Sequence, residues 1–320
     1  MRAQVLCPTP FIFLPHASPL GSSLFLISAS PTMSPISSHS ELAVRQIIRQ
    51  CGLKAEKMAS QGFEVMEKGH EDYVTTIDTA LDIELFAAFS TLFAQDGVIT
   101  EENLRSRQQI HAQHSRLWCI DPLDGTEDFI YGQRNYAVMV GLLENYEPCA
   151  GWVYAPVRDR MYFGGVNWGL FQTVSDRLPI PIPVAAPRSP ADPLRMMIGH
   201  RDQTRYGDAI ASCLPGIEFN FMGSFGLKVL EVILGNADLY LYLNRRVKVW
   251  DTSGPLALAK AAGLDCCSLE GEPIRFIPQA LDPVTLSHKQ GILIGHPDIV
   301  EQVRPRLVAA IHATSSKGGC

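Results

Sequence analysis

Residues 118–126 read Trp118-Cys119-Ile120-Asp121-Pro122-Leu123-Asp124-Gly125-Thr126. The apolar run from Leu117 to Ile120 predicts a buried strand, and Asp121-Pro122 is expected to break it. Two carboxylates three positions apart then enter a Pro/Gly turn, and Thr126 stands where a helix should begin. Gly125 lets the backbone approach a ligand closely. Hard divalent cations bind oxygens of this kind, including a turn carbonyl such as that of Leu123. Amides at the start of the following helix can receive a phosphate. Alone, such a turn favours a plainer reading, an Asx turn that caps a helix.

It does not stand alone. Asp78 follows Val74-Thr75-Thr76-Ile77, Glu101-Glu102 end the short apolar run Val98-Ile99, and Trp250-Asp251 opens a helix after another apolar run. Each has an innocent explanation: Asp78 and Asp251 as helix N-caps, the glutamates as a solvated loop. Four acidic stations, each at a strand end or helix start, point instead to one shared site. Two like charges ~4 Å apart repel by about 4 kcal/mol at an effective dielectric near 20. Divalent cations are the natural compensation.

Around these stations the chain of 320 residues is ordinary globular material, 46% hydrophobic and 19% charged. With 33 acidic against 27 basic residues, the formal net charge of -6 argues against binding a nucleic acid polymer or an anionic membrane. A local basic pocket for one phosphorylated ligand remains compatible with it. Eight cysteines form no CxxC pair, which reads as free thiols in a reducing compartment, so a cytoplasmic protein is expected, with organelle targeting by residues 1–40 left open. Residues 1–40 hold nine serines and no acidic residue. Pro15 and Pro19 interrupt their apolar pieces, so this stretch reads as a disordered or processed extension, or as translation from a start upstream of Met33. No other stretch reaches the roughly 18–20 apolar residues a membrane span needs.

Apolar offsets of three and four predict a helix from an N-cap at Ser40 to Met58 and a second over about 78–95 with Gly97 as its stop. Strand-like runs follow at 136–143, 149–154 and 160–163. Six prolines crowd between Leu178 and Pro193, an edge, a linker or both, where a boundary between two sub-domains is placed. Beyond it, strands near 196–199 and 239–243 alternate with helices near 202–213, 226–234 and 254–262. These elements alone describe a mixed α/β chain, with sub-domains over residues 41–185 and 186–320.

The run Asp121 to Gly132, DPLDGTEDFIYG, resembles the first motif of the inositol monophosphatase superfamily of lithium-sensitive, magnesium-dependent phosphatases. Trp250-Asp251-Thr252-Ser253-Gly254-Pro255 resembles its second, and Glu101-Glu102 and Val74 to Asp78 stand upstream in the matching order. The resemblance covers residues 41 to 300. It implies the layered α/β/α/β/α sandwich of the inositol monophosphatase and fructose-1,6-bisphosphatase type. It also implies two or three Mg2+ ions held by Glu101, Asp121, Asp124, Asp251 and the Leu123 carbonyl, with Glu102 close by. Thr126, hydrogen-bonded to Asp78, would orient or deprotonate the attacking water, and the Gly125 and Thr126 amides would grip the phosphate. Thr100 departs from a common glycine, Ser253 from a common alanine, and Lys260 to Leu264 from an acidic, double-glycine ending. None of these removes a proposed ligand. Members are often homodimers; the residues of this chain do not choose between monomer and dimer.

For the substrate, a small phosphate ester, Gly223-Ser224-Phe225-Gly226-Leu227-Lys228 resembles the branch acting on adenosine 3',5'-bisphosphate. Ser224 and Lys228 would then help hold the nucleotide, against a plainer reading in which Lys228 solvates a helix start. The place of the acidic residue that binds sugar hydroxyls in inositol phosphatases falls near Tyr242. Arg245 and Arg246 follow it, side chains better suited to a base or a further phosphate. Inositol monophosphate is the second expectation and a sugar bisphosphate the third. A catalytically silent binder of phosphometabolites would show loss of a ligand or of Thr126, and all are present.

Overall fold

The layers follow from strands that are apolar on both faces, which cannot sit on the outside of a sheet. In a computed structural model of the chain, the described residues are 34–69, 72–184 and 192–317. The expectation of a disordered or processed extension over residues 1–40 lies outside the described residues at 1–33, and residues 38–40 correct it, since they already belong to the first helix. In chain order, α1 is Ser38–Ala59, β1 Val65–Gly69, β2 Asp72–Thr75, α2 Thr76–Leu92, β3 Gly97–Thr100, β4 Arg116–Asp124 and α3 Thr126–Ile130. Strands β5 Ala137–Glu144, β6 Glu147–Ala155, β7 Arg160–Gly165, β8 Gly169–Val174 and β9 Ile180–Pro181 complete the first half. Then come β10 Arg195–Ile198, α4 His200–Cys213, β11 Glu218–Asn220, α5 Phe225–Ile233 and β12 Leu239–Tyr242. The last elements are α6 Val249–Ala261, β13 Asp265–Cys267, β14 Ile292–Gly295 and α7 Pro297–Lys317.

Strands β3 to β9 form a seven-stranded sheet in sequential order, parallel only between β3 and β4. The second sheet has five strands in the order β11-β10-β12-β14-β13. Side-chain alternation assigns each face. On β4, Trp118 and Ile120 join Val44, Ile48, Leu81 and Leu85 of α1 and α2, whereas Leu117 and Cys119 face α5 and α6. On β12, Tyr240 also faces α5 and α6, while Leu239 and Leu241 meet Tyr206 and Ile210 of α4 and Leu307 of α7. The architecture is thus α1/α2, sheet, α5/α6, sheet, α4/α7: the five-layer α/β/α/β/α sandwich.

Several local expectations change. The first helix starts at Ser38, because Ser37 rather than Ser40 is its N-cap and accepts from Ser40 N. Asp121-Pro122 does not end its strand: β4 continues to Asp124, with the register shifting between Asp121 and Asp124. Pro122 has no N–H to contribute to a ladder, and an irregularity in register accommodates that. Helix α6 begins at Val249, five residues before Gly254, with Pro255 inside it. Gly97 opens β3 rather than merely stopping α2, which already ends at Leu92.

Helix α6 lies directly on the backbone of β5 and β6. A Cβ on Gly151 would come within 2.2 Å of Gly254 O, and one on Gly254 within 2.5 Å of Val140 O. Three glycines, 141, 151 and 254, therefore set the depth at which α6 delivers Asp251. We expect Gly151→Ala to destabilise the fold by about 1–3 kcal/mol, the scale of overpacking in a dense core. Gly199→Ala, at φ -78 with nothing within 4 Å of the new methyl, should change stability little. Urea unfolding of both variants measures this, and equal midpoints would contradict the close-approach argument.

Candidate active site

Each aspartate of the acidic stations is held by a backbone N–H, as its place at a strand end or helix start allows, whereas the Glu101 and Glu102 carboxylates meet lysine ammonium groups. Asp78 is the third residue of α2 in a capping box: its Oδ2 accepts from Thr75 N at 2.8 Å and from the Thr75 hydroxyl. Asp121 Oδ1 accepts from Leu123 N at 2.9 Å. Asp251 Oδ2 accepts from Lys248 N at 2.7 Å at the start of α6. Asp124 is turned to the N-terminus of α5, where its oxygens accept from Phe225 N (3.0 Å), Gly226 N (2.9 Å) and the Ser224 hydroxyl. Charge-assisted hydrogen bonds and a helix dipole thus offset part of the repulsion.

These tethers bring the stations together. Carboxylate oxygens of Glu101, Asp121 and Asp251 all lie within 4.8 Å of one another, the geometry of a candidate metal centre. Asp124 stands outside that trio but lines the same cleft of about 220 Å³, as do Leu123, Gly125, Thr126 and Lys228. Gly125, at φ 93, occupies a left-handed position, and a Cβ there would meet Asn135 O at 2.8 Å. Thr126 Oγ1 lies 3.0 Å from both Asp78 Oδ1 and the Leu123 carbonyl, so one hydroxyl proton serves two acceptors. Glu102 lies beside Glu101, its Oε1 2.6 Å from Lys68 Nζ.

Ser224 sits elsewhere than the sequence placed it. It is fully buried, its hydroxyl is bonded to Asp124, and it caps α5 by accepting from Leu227 N at 3.0 Å. It therefore acts behind Asp124 and does not line the cleft. Lys228 does line it, only 5% exposed, with Nζ donating to Gly223 O at 3.3 Å and lying over the Tyr240 ring. Tyr242 lines the same cleft with Val247 and Lys248. Arg245 belongs to a different cavity on the α4/α7 side of the five-stranded sheet.

Sequence reasoning missed three residues. Asp82, one turn beyond Asp78 on α2, accepts from Thr100 Oγ1 (2.8 Å) and Glu102 N (3.0 Å), and so shapes the Glu101-Glu102 turn. Its signal was the i, i+4 spacing from Asp78 on an otherwise apolar helix face. Thr100, which departs from glycine, is explained by this bond. Lys68 on β1 and Lys248 before α6 each place Nζ 3.5 Å from Glu101 Oε1. Nothing local marks them, since isolated lysines are common on surfaces.

The electrostatics describe a pocket short of positive charge. Burial, then Glu101, Asp124 and Asp251, pushes Asp121 well above the carboxylate range. Burial raises Asp251 to about 7 against the pull of Lys248, and burial with the neighbouring Glu101 raises Glu102 to about 7. Burial also raises Asp78 and Asp124. For Glu101, burial opposes ionisation, but Lys248 and Lys68 outweigh it and hold the carboxyl low. Buried oxygen donors that resist ionising together are the donor set of a hard divalent cation, so the residues fit magnesium.

The sign of the pH dependence follows. For the metal-free protein, Asp251 and Glu102 carry folded-state pKa values of about 7, above their unfolded values. Their stabilising protonation is complete below the unfolded pKa and is lost as pH rises through the folded one. Metal-free protein should lose thermal stability between about pH 4.5 and pH 7, and saturating Mg2+ should restore it at pH 7.5. Melting curves in EDTA and in Mg2+ check this; stability that climbs with pH in EDTA would refute the charge assignment.

Comparison with known proteins identifies a family and a fold. The model of the "Inositol monophosphatase family" matches residues 38–313. The chain is similar to the inositol-1-monophosphatase of Bacillus subtilis, 25% identical over 255 residues, which span 79% of this chain and 90% of that one. It is also similar to the 3'(2'),5'-bisphosphate nucleotidase CysQ of Escherichia coli, 28% identical over 226 residues, 68% of this chain and 84% of that one. Among solved structures, the extragenic suppressor protein suhB of Bartonella henselae superposes with a TM-score of 0.68 at 22% identity, covering 84% of this chain and 98% of that one.

Proposed function

The chain belongs to the inositol monophosphatase family, whose members hydrolyse phosphate monoesters with magnesium, and on that premise we propose that it cleaves adenosine 3',5'-bisphosphate by direct attack of water. The observation that carries the reaction is the Asp78–Thr126 pair beside the Glu101/Asp121/Asp251 cluster. Thr126 Oγ1 takes a proton from the attacking water as its own passes to Asp78 Oδ1. Asp78, raised by burial, is a better acceptor for it than a solvated carboxylate. Glu102, raised to about 7 next to Glu101 at the edge of the cluster, is poised to exchange a second proton. Glu101, Asp121, Asp124, Asp251 and the Leu123 carbonyl would hold two or three Mg2+ ions. Bound there, they supply Lewis acidity and neutralise charge on the oxygens of the transferred phosphate. The Gly125 and Thr126 amides, at a left-handed turn that admits no Cβ, receive the phosphate.

Two side chains support a nucleotide bisphosphate. The buried Lys228 ammonium on the cleft wall offers a partner for a second phosphate, and Tyr242 gives the cleft an aromatic side chain for a base. A neutral polyol would be better served by a carboxylate there; the wall instead carries Tyr242, Val247 and Lys248. Similarity to the CysQ nucleotidase runs the same way. Inositol 1-phosphate is the second reading, favoured by similarity to the Bacillus subtilis enzyme.

Phosphate release from adenosine 3',5'-bisphosphate, inositol 1-phosphate and fructose 1,6-bisphosphate, with Mg2+ and with or without Li+, tests the substrate. We expect the highest kcat/KM for the nucleotide and inhibition by lithium; a tenfold preference for inositol 1-phosphate would overturn the choice. Thr126→Ala should lower kcat by about a hundred- to ten-thousand-fold, the usual worth of a proton-transfer group. Asp124→Asn should cost about a thousand-fold or more with the circular dichroism unchanged. Near-normal turnover in either variant would remove that residue from the mechanism.

A further inference from the structure

A second cavity, of about 840 Å³, lies between α4, α7 and the loop that follows β12. It is on the opposite side of the five-stranded sheet from α5 and α6, and its size is that of a metabolite site. Three guanidinium groups line it from two separate elements, Arg201 and Arg205 on α4 and Arg245 in the loop, and His312 on α7 adds an imidazole. Among the described residues, the acidic side chains there are Asp202 and Glu270. Asp202 is already engaged, its Oδ2 accepting from Leu243 N at 2.7 Å. Among the described residues that line the cavity, three guanidinium groups against two carboxylates leave positive charge in excess, in a chain whose net charge is negative.

Two features are unfavourable locally. Arg201 and Arg205 stand one turn apart at the beginning of α4, where they repel each other and the positive end of the helix dipole. Arg245 holds a left-handed backbone, φ 57, rarely adopted by a side chain other than glycine, asparagine or aspartate. Arg205 is also pre-set, its guanidinium 5.1 Å from the centre of the Tyr206 ring. An anion seated among these groups offsets the repulsion and offers the Arg205 and Arg245 forks a bidentate contact.

We propose that this cavity binds a small molecule carrying two or more phosphate groups, at a site separate from the catalytic cleft. Arg205 and Arg245 grip the phosphates, and Tyr206, Leu243 and Ile311 provide an apolar floor for an organic portion. The site shares its loop with the cleft: Leu243, Asn244 and Arg245 line the cavity, while Tyr242, Val247 and Lys248 at the two ends of the same segment line the cleft.

Titration calorimetry of the full chain with inorganic tripolyphosphate in EDTA tests the proposal, because the cation-free cleft is acidic and repels the probe. We expect one binding event, weakened at least tenfold by Arg205→Gln and by Arg245→Gln and strengthened by Glu270→Gln. Asp124→Asn, which disables the cleft, and Arg177→Gln, an exposed arginine on β8's side of the molecule, should leave it unchanged. No binding by the unaltered protein would overturn the proposal. So would equal weakening by Arg177→Gln, which marks general electrostatics. Loss with Lys228→Met alone, marking the cleft, would overturn it, as would tighter binding of a single-stranded oligonucleotide through the same arginines.

Discussion

Like charges forced into one pocket are the constraint on which this structure turns. At the 4.8 Å that bounds the Glu101, Asp121 and Asp251 oxygens, each pair repels by about 3–4 kcal/mol at an effective dielectric near 20. Left unopposed, such a cluster would splay apart. The chain opposes it by giving each aspartate a backbone amide: Thr75 N for Asp78, Leu123 N for Asp121, Phe225 and Gly226 N for Asp124, and Lys248 N for Asp251. These bonds fix where one oxygen points without neutralising the group. Charge is compensated in part by Lys68 and Lys248 and the remainder is left to cations.

The same amides explain why the site lies at element ends. A strand or helix interior has no spare N–H, whereas the first turn of α2, α5 and α6 has several. Ser224 and Asp82 show a second rank of this arrangement, a hydroxyl behind Asp124 and a carboxylate behind the Glu101-Glu102 turn. Both are buried, so loss of either would be felt through the residue it positions.

Holding four such ends together is the work of the middle layer. Helices α5 and α6 fill the space between two sheets whose strands are apolar on both faces. Glycines at 141, 151 and 254 let α6 settle against β5 and β6, which brings Asp251 level with the end of β4. A sheet with one wet face would have no need of such a layer, and its strands would alternate polar and apolar residues.

The amino-acid sequence by itself determined the class of chemistry, the acidic stations and their order, and most of the elements that carry them. Those features are local: an apolar run, a Pro/Gly turn and a carboxylate at its end are written in adjacent residues. Tertiary structure decided the rest. It alone turned Asp124 toward α5, 100 residues away, and set Ser224 behind it rather than on the substrate. It carried β4 through Asp121-Pro122, brought Lys68 and Lys248 to Glu101, and sent Arg245 to the far side of its sheet. Strand β1, exposed along its whole length, has no hydrophobic pattern to announce it. The physical reason is common to all of these. Which oxygen meets which amide depends on where distant elements are packed, and packing depth is set by side chains, or by their absence at glycines, on elements remote in sequence.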